Sequence, residues 1–158
     1  MTHPLLIISG GQTGVDRAAL DAALAVGIEI GGWCPAGRWA EDGPIPCRYL
    51  LRETASSDPA ERTRLNVRDS DATLVLTLGP PRGGTALTLE LANALRRPHQ
   101  LVDLNGSTSA AQVADWIRQL DVQVLNVAGP RASEAPGIYI RAFELVREIL
   151  ATASARQV

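Results

Sequence analysis

Five short, almost unbroken apolar runs separated by segments of helical period are the feature that most limits what this chain can fold into. The runs cover residues 5–9, 28–33, 72–78, 100–104 and 122–128. Helical spacing covers residues 15–26, 59–68, 84–97, 107–120 and 138–153. Strands that are apolar on both faces and alternate with helices predict a parallel sheet covered on both sides. The expectation is therefore an α/β, Rossmann-like three-layer sandwich of about five parallel strands, built as a single domain over residues 1–158. Right-handed crossovers leave few topologies. Order 2-1-3-4-5 is favoured, because it sets strands 1 and 3, both ending in glycines, side by side where such sheets bind ligands.

At 158 residues the chain can bury a substantial core. Its net charge of −2 gives no bulk attraction to nucleic acid or anionic membrane. All 15 basic residues are arginine. Without lysine there is no Schiff-base chemistry and no standard Walker A loop. A bound anion must be held by backbone N–H groups and guanidinium forks. No basic segment precedes Leu5, and the first apolar run is too short for a signal peptide or membrane span, so a cytoplasmic protein is expected. Cys34 and Cys47 fit neither a CxxC nor a zinc spacing, and His3 and His99 are the only histidines. Neither a disulfide framework nor a histidine-ligated metal is expected.

Two glycine-rich loops follow strand ends. The first is Ser9-Gly10-Gly11-Gln12-Thr13-Gly14-Val15-Asp16-Arg17. Its glycines permit a tight turn and close approach to a ligand, and the next helix would present free N–H groups to an anion. Thr13 and Asp16 have capping-box spacing, which makes helix termination the simpler reading of Asp16. The second is Gly79-Pro80-Pro81-Arg82-Gly83-Gly84-Thr85-Ala86, in which Thr85 can cap a helix and Arg82 can fork onto phosphate. Two such loops from one sheet argue more strongly for anion binding than either alone.

Further donors lie elsewhere. Arg64 and Arg68 are four apart on one helical segment, as are Asn66 and Ser70. The fifth strand runs into Asn126, Gly129-Pro130 and Arg131 on the edge shared with the glycine loops. Residues 34–58 have no sustained period, and a loop of that length is commonly functional. There Trp33 and Trp39 flank Arg38, with Trp39 the better platform for a flat heterocycle and Trp33 the better core residue. Cys34 reads as a small buried hydrophobe.

Together the stretches SGGQTGVDRAALDAA, GGWCPAGRWAEDGPIP, NVRDSDATLVL, GGTALTLELA and LNVAGPRASEAPGIY span nearly the whole chain in order. In them the chain resembles the bacterial molybdenum carrier family, related to algal molybdenum-cofactor carrier proteins. The resemblance implies a Rossmann-like sheet, a homo-oligomer (dimer or tetramer), and a pyranopterin phosphate carrying molybdenum as cargo. Molybdenum enzymes or cofactor-synthesis proteins would be its partners. A wider resemblance is to phosphoribohydrolases that release cytokinin bases from nucleotides and carry PGGxGTxxE. Here Thr88 stands at the glutamate position and Arg82 at that of the second glycine. That departure weakens the case for the same catalysis but leaves phosphate binding intact.

The leading expectation is a non-enzymatic carrier with its cofactor between the glycine loops. Gly10, Gly11, Gln12, Thr13, Gly14, Gly83, Gly84 and Thr85 would cradle the phosphate, with Asn66, Arg82 and Asn126 as further donors. Arg38, Arg64 or Arg131 would neutralise it, and Trp39 would cover the pterin. The alternatives are a nucleotide-processing hydrolase recruiting Asp16, Asp69 or Glu90, and a sensor of a nucleotide-like messenger.

Overall fold

The computed structural model describes residues 5–155; His3 and the start of the chain lie outside them. The chain opens with β1 (Leu6–Ile8), α1 (Val15–Ala25) and β2 (Glu29–Gly31). The segment read as a long loop holds two small ribbons instead. β3 (Trp33–Cys34) pairs with β6 (Arg52–Glu53), and β4 (Trp39–Ala40) pairs with β5 (Gly43–Pro44). Then come α2 (Pro59–Arg68), β7 (Ala72–Thr77), α3 (Gly83–Ala94), β8 (His99–Asp103), α4 (Ala110–Gln119), β9 (Val124–Ala128) and α5 (Ile138–Ala155). The five long-range strands are the five apolar runs, and all their pairings are parallel.

Their order is β2-β1-β9-β7-β8. In the numbering of the five runs this is 2-1-5-3-4, not the expected 2-1-3-4-5. The last strand enters the middle of the sheet, where Leu6–Ile8 pairs with Val124–Asn126 and Leu125 pairs on its other side with Ala72. Counting from β9 as the first strand turns the order into 3-2-1-4-5, that of a Rossmann half. The switch point therefore falls between β9 and β7.

Handedness assigns the helices to faces. The connections β1–α1–β2 and β8–α4–β9 run one way across the sheet, and β2–α2–β7 and β7–α3–β8 run the other. Right-handed crossovers in opposite directions place their helices on opposite faces. Accordingly α1 and α4 pack with α5, and α2 packs with α3. The sheet carries Ile7, Leu74, Leu76, Leu125 and Val127 into the main core beneath α1, α4 and α5. Leu20, Cys34, Ala40, Ile45 and Tyr49 form a second small core under the ribbons, and Cys34 is a buried hydrophobe there.

Local chemistry sets the helix ends. Asp58 caps α2, whose first residue is Pro59, and Ser109 with Gln112 forms a capping box on α4, two residues beyond the expected Ser107. Gly27, at φ +76°, turns the chain after α1. No helix among the described residues is long and apolar enough to cross a membrane.

Candidate functional site

The carboxyl ends of β9 and β7 open onto a cavity of about 230 Å³. Its floor is Asn126 and Ala128, and one side is Gly129, Pro130 and Arg131 on the way to α5. Gly84, Thr85 and Thr88 of α3 face it from beyond β7. Gly10 and Gln12 of the loop after β1, with Asp16 of α1, close another side, and Trp39 stands at the rim, 59% exposed. The fourth wall is one stripe of α2: Pro59, Arg62, Thr63 and Asn66. Those positions follow i, i+3, i+4, i+7, a single helical face.

The first glycine loop is spent largely on itself. Asp16 Oδ2 accepts the Gln12 N–H at 3.3 Å, Gln12 Oε1 accepts the Thr13 N–H at 2.9 Å, and Pro130 accepts the Val15 N–H at 3.3 Å. The amino end of α1 is thus largely filled: the N–H groups of Gln12, Thr13, Val15 and Arg17 have acceptors, and those of Gly14 and Asp16 donate to nothing among the described residues. Nor does Thr13 cap the helix. Gly14 occupies that position without a side-chain cap, while Thr13 Oγ1 donates to Glu41 and accepts the Ala132 N–H at 3.1 Å. Thr13 and Gly14 border a second depression with Arg17, Asp21 and Tyr139. Gly11 borders neither; its carbonyl accepts from Arg17 Nε at 3.0 Å.

The amino end of α3 is open. Arg82 is its N-cap in extended conformation and makes no side-chain cap. The N–H groups of Gly83 and Gly84 donate to nothing among the described residues, since the bonds onto Arg82 O come from Thr85 and Ala86. Thr85 is the third residue of the helix, buried, and does not serve as the cap. A Cβ added at Gly84 would meet nothing within 4 Å. A twelve-residue helix therefore brings its positive dipole end, with the unsatisfied N–H of Gly84, to the wall of an open cavity. Thr88, at the position of the phosphoribohydrolase glutamate, donates its hydroxyl to Gly84 O at 2.9 Å.

The arginines divide sharply. Arg62, which the sequence reading passed over, lines the cavity and donates from Nη1 to Gly10 O at 2.8 Å. Arg131 lines it too, paired with Glu134 at 2.8 Å and Glu41 at 3.6 Å. Arg38 does not line it. Its guanidinium donates to the carbonyl oxygens of Leu51, Ile45, Pro46 and Tyr49, which makes it the clip of the 38–51 loop. Arg64 and Arg82 are exposed and lie off the cavity wall. Asn66 lines the wall, but its amide is committed to the N–H and C=O of Trp33 at 2.8 and 3.0 Å. Asn126 donates to Thr73 Oγ1 at 3.2 Å. Trp33, with Arg52 stacked 4.2 Å over its ring, leaves the rim to Trp39.

Asp16 is the unusual group of the cavity. It is 8% exposed, and burial lifts its carboxyl to about 6, against the opposing pull of Arg62 and the Gln12 N–H. Arg68 and the Trp33 indole N–H hold Asp69 below the ordinary range, while Glu90 is exposed on α3; neither borders the cavity. No group of three or more His, Cys, Asp or Glu among the described residues could hold a metal ion.

Residues 7–150 match the family described as circularly permutated YpsA SLOG. The chain belongs to that family. Its description agrees with the sheet, in which the strand that would open a Rossmann half is instead the last strand of the chain. A crystal structure from Syntrophus aciditrophicus, named "Putative molybdenum carrier protein", is 44% identical to this SLOG chain. The likeness covers 94% of this chain and 96% of that one, with a TM-score of 0.88. No curated protein matches the chain.

Proposed function

We propose that this SLOG-family protein binds and carries molybdenum cofactor, a pyranopterin phosphate, without transforming it. The observation that carries the reading is the open amino end of α3. Gly84, with a free N–H and no Cβ, faces a cavity that also holds Arg62 and Arg131, and the free N–H of Gly83 precedes it in the chain. That is a phosphate seat made without lysine. Trp39 at the rim offers a face to a planar ring, and molybdenum travels as part of the cargo. The relative named as a molybdenum carrier supports the same ligand class. Absence of catalysis is supported by Thr88, whose hydroxyl is bound back into its own helix where the related hydrolases place a glutamate.

The test is direct. Protein purified from cells that make the cofactor should carry fluorescent oxidised pterin and molybdenum in equal amounts, and Gly84→Val should carry neither. It should release no base or ribose phosphate from nucleoside monophosphates. Recovery of folded protein free of both pterin and molybdenum would overturn the proposal.

A further inference from the structure

Acidic side chains around the cavity are nearly all committed. Glu134 pairs with Arg131, and Glu41 accepts from Thr13 and from both the N–H and the hydroxyl of Ser133. Asp16 differs. It lines the cavity, is more than nine-tenths buried, and is met by one long backbone hydrogen bond, with the Ser9 hydroxyl beside it. Its nearest guanidinium, that of Arg62, is turned onto Gly10 O and forms no ion pair with it. A buried carboxylate left with acceptor capacity is costly unless something donates to it. The cavity supplies the room for that donor.

We infer that Asp16 reads the amino-pyrimidinone edge of the ligand, accepting hydrogen bonds from a ring N–H and the adjacent exocyclic amine. A carboxylate presents two oxygens to two parallel donors, and such an edge presents the two donors side by side. Pterins and guanine both carry that edge; adenine and hypoxanthine do not. The phosphate seat on α3 and the acceptor on α1 then face the cavity from different walls, fixing a ligand by its two chemically distinct ends. This rests on the carrier reading and adds to it the ring class that the site selects.

Calorimetric titration of the purified protein with GMP, IMP, AMP and inorganic phosphate at neutral pH tests the assignment. GMP should bind at least about tenfold more tightly than IMP or AMP, the effect of one charge-assisted hydrogen bond. Asp16→Asn should bring GMP to the affinity of IMP without weakening the binding of inorganic phosphate, which loses a like charge from the same cavity. Equal affinities for GMP and IMP in the unmodified protein would overturn the inference. So would a preference that survives Asp16→Asn, or no measurable binding of GMP. Its failure is distinguishable from failure of the carrier reading. A protein recovered with pterin and molybdenum but indifferent between GMP and IMP keeps the carrier reading alone. One that prefers GMP but carries no pterin keeps the ring assignment alone.

Discussion

The guanidinium of Arg62 occupies the space that a side chain on Gly10 would need. A Cβ at position 10 would lie 2.5 Å from Arg62 Cδ and 2.6 Å from Nη1. Because the obstacle is the far end of a flexible chain, Gly10→Ala should fold and displace Arg62 from its bond to the Gly10 carbonyl. A loss of about 0.5–1.5 kcal/mol in urea denaturation is expected, together with weaker binding of inorganic phosphate. Unchanged phosphate affinity would mean that Arg62 acts on the loop alone.

Glycines of the two loops should respond differently to substitution. Gly14 is at φ +78°, and a Cβ there would overlap the carbonyl oxygen of Pro130, so Gly14→Ala should destabilise the fold by several kcal/mol. At Gly84 a Cβ enters open cavity. Gly84→Ala should melt within a few degrees of the parent yet lose phosphate binding. Thermal denaturation paired with calorimetry separates the two outcomes.

How far the sequence alone led is clear from these same residues. Periodicity and apolar runs are local properties, and they placed the five strands, five helices and both glycine loops. Strand order is not local: nothing within residues 122–128 says that they enter between β1 and β7. The same blindness governs side chains. Thr13 looked like a cap because its partners, Glu41 and Ala132, are 28 and 119 residues away. Arg38 looked like a ligand for anions because its four carbonyl acceptors are spread over residues 45–51. Arg62 could have been found. Asn66 already marked a helical face, and stepping back by four and seven residues gives Arg62 and Pro59.

Arg38→Ala should therefore lower stability by about 2–4 kcal/mol, as several carbonyls lose a charged donor. It should leave phosphate affinity nearly unchanged wherever the protein remains folded. Arg62→Ala and Arg131→Ala should do the reverse, weakening phosphate binding by about 1.5–3 kcal/mol with smaller losses of stability. Arg64→Ala should do neither. Titrating the four variants with inorganic phosphate and melting each one decides between a cationic cavity and a cationic loop clip.

Asp16 gives the fold a pH dependence opposite in sign to that of its paired acids. Its carboxyl titrates at about 6 when folded, well above the ordinary 3.8, so the folded protein holds a proton that the unfolded chain has lost between those values. Ionised Asp16 thus costs about 3 kcal/mol above pH 7, and this cost fades as pH falls from about 6 toward 4. Glu41, Asp42, Asp69 and Asp103 are held below the ordinary range, so their contributions are present above it and are lost as pH falls through their lowered values. Subtracting one protein from another isolates Asp16. Asp16→Asn should be more stable than the parent by up to about 3 kcal/mol at pH 7.5, and the two should converge near pH 4. Urea denaturation of both proteins across this range is the measurement. Parallel profiles would show that Asp16 is hydrated by the cavity and is not strained by burial. Binding explains why a costly carboxylate is placed there at all: ligand donors would stabilise its ionised form, so a bound amino-pyrimidinone should erase most of the difference between the two proteins. Repeating the pH series with saturating GMP checks that last step, because a ligand held by its phosphate alone would leave the difference untouched.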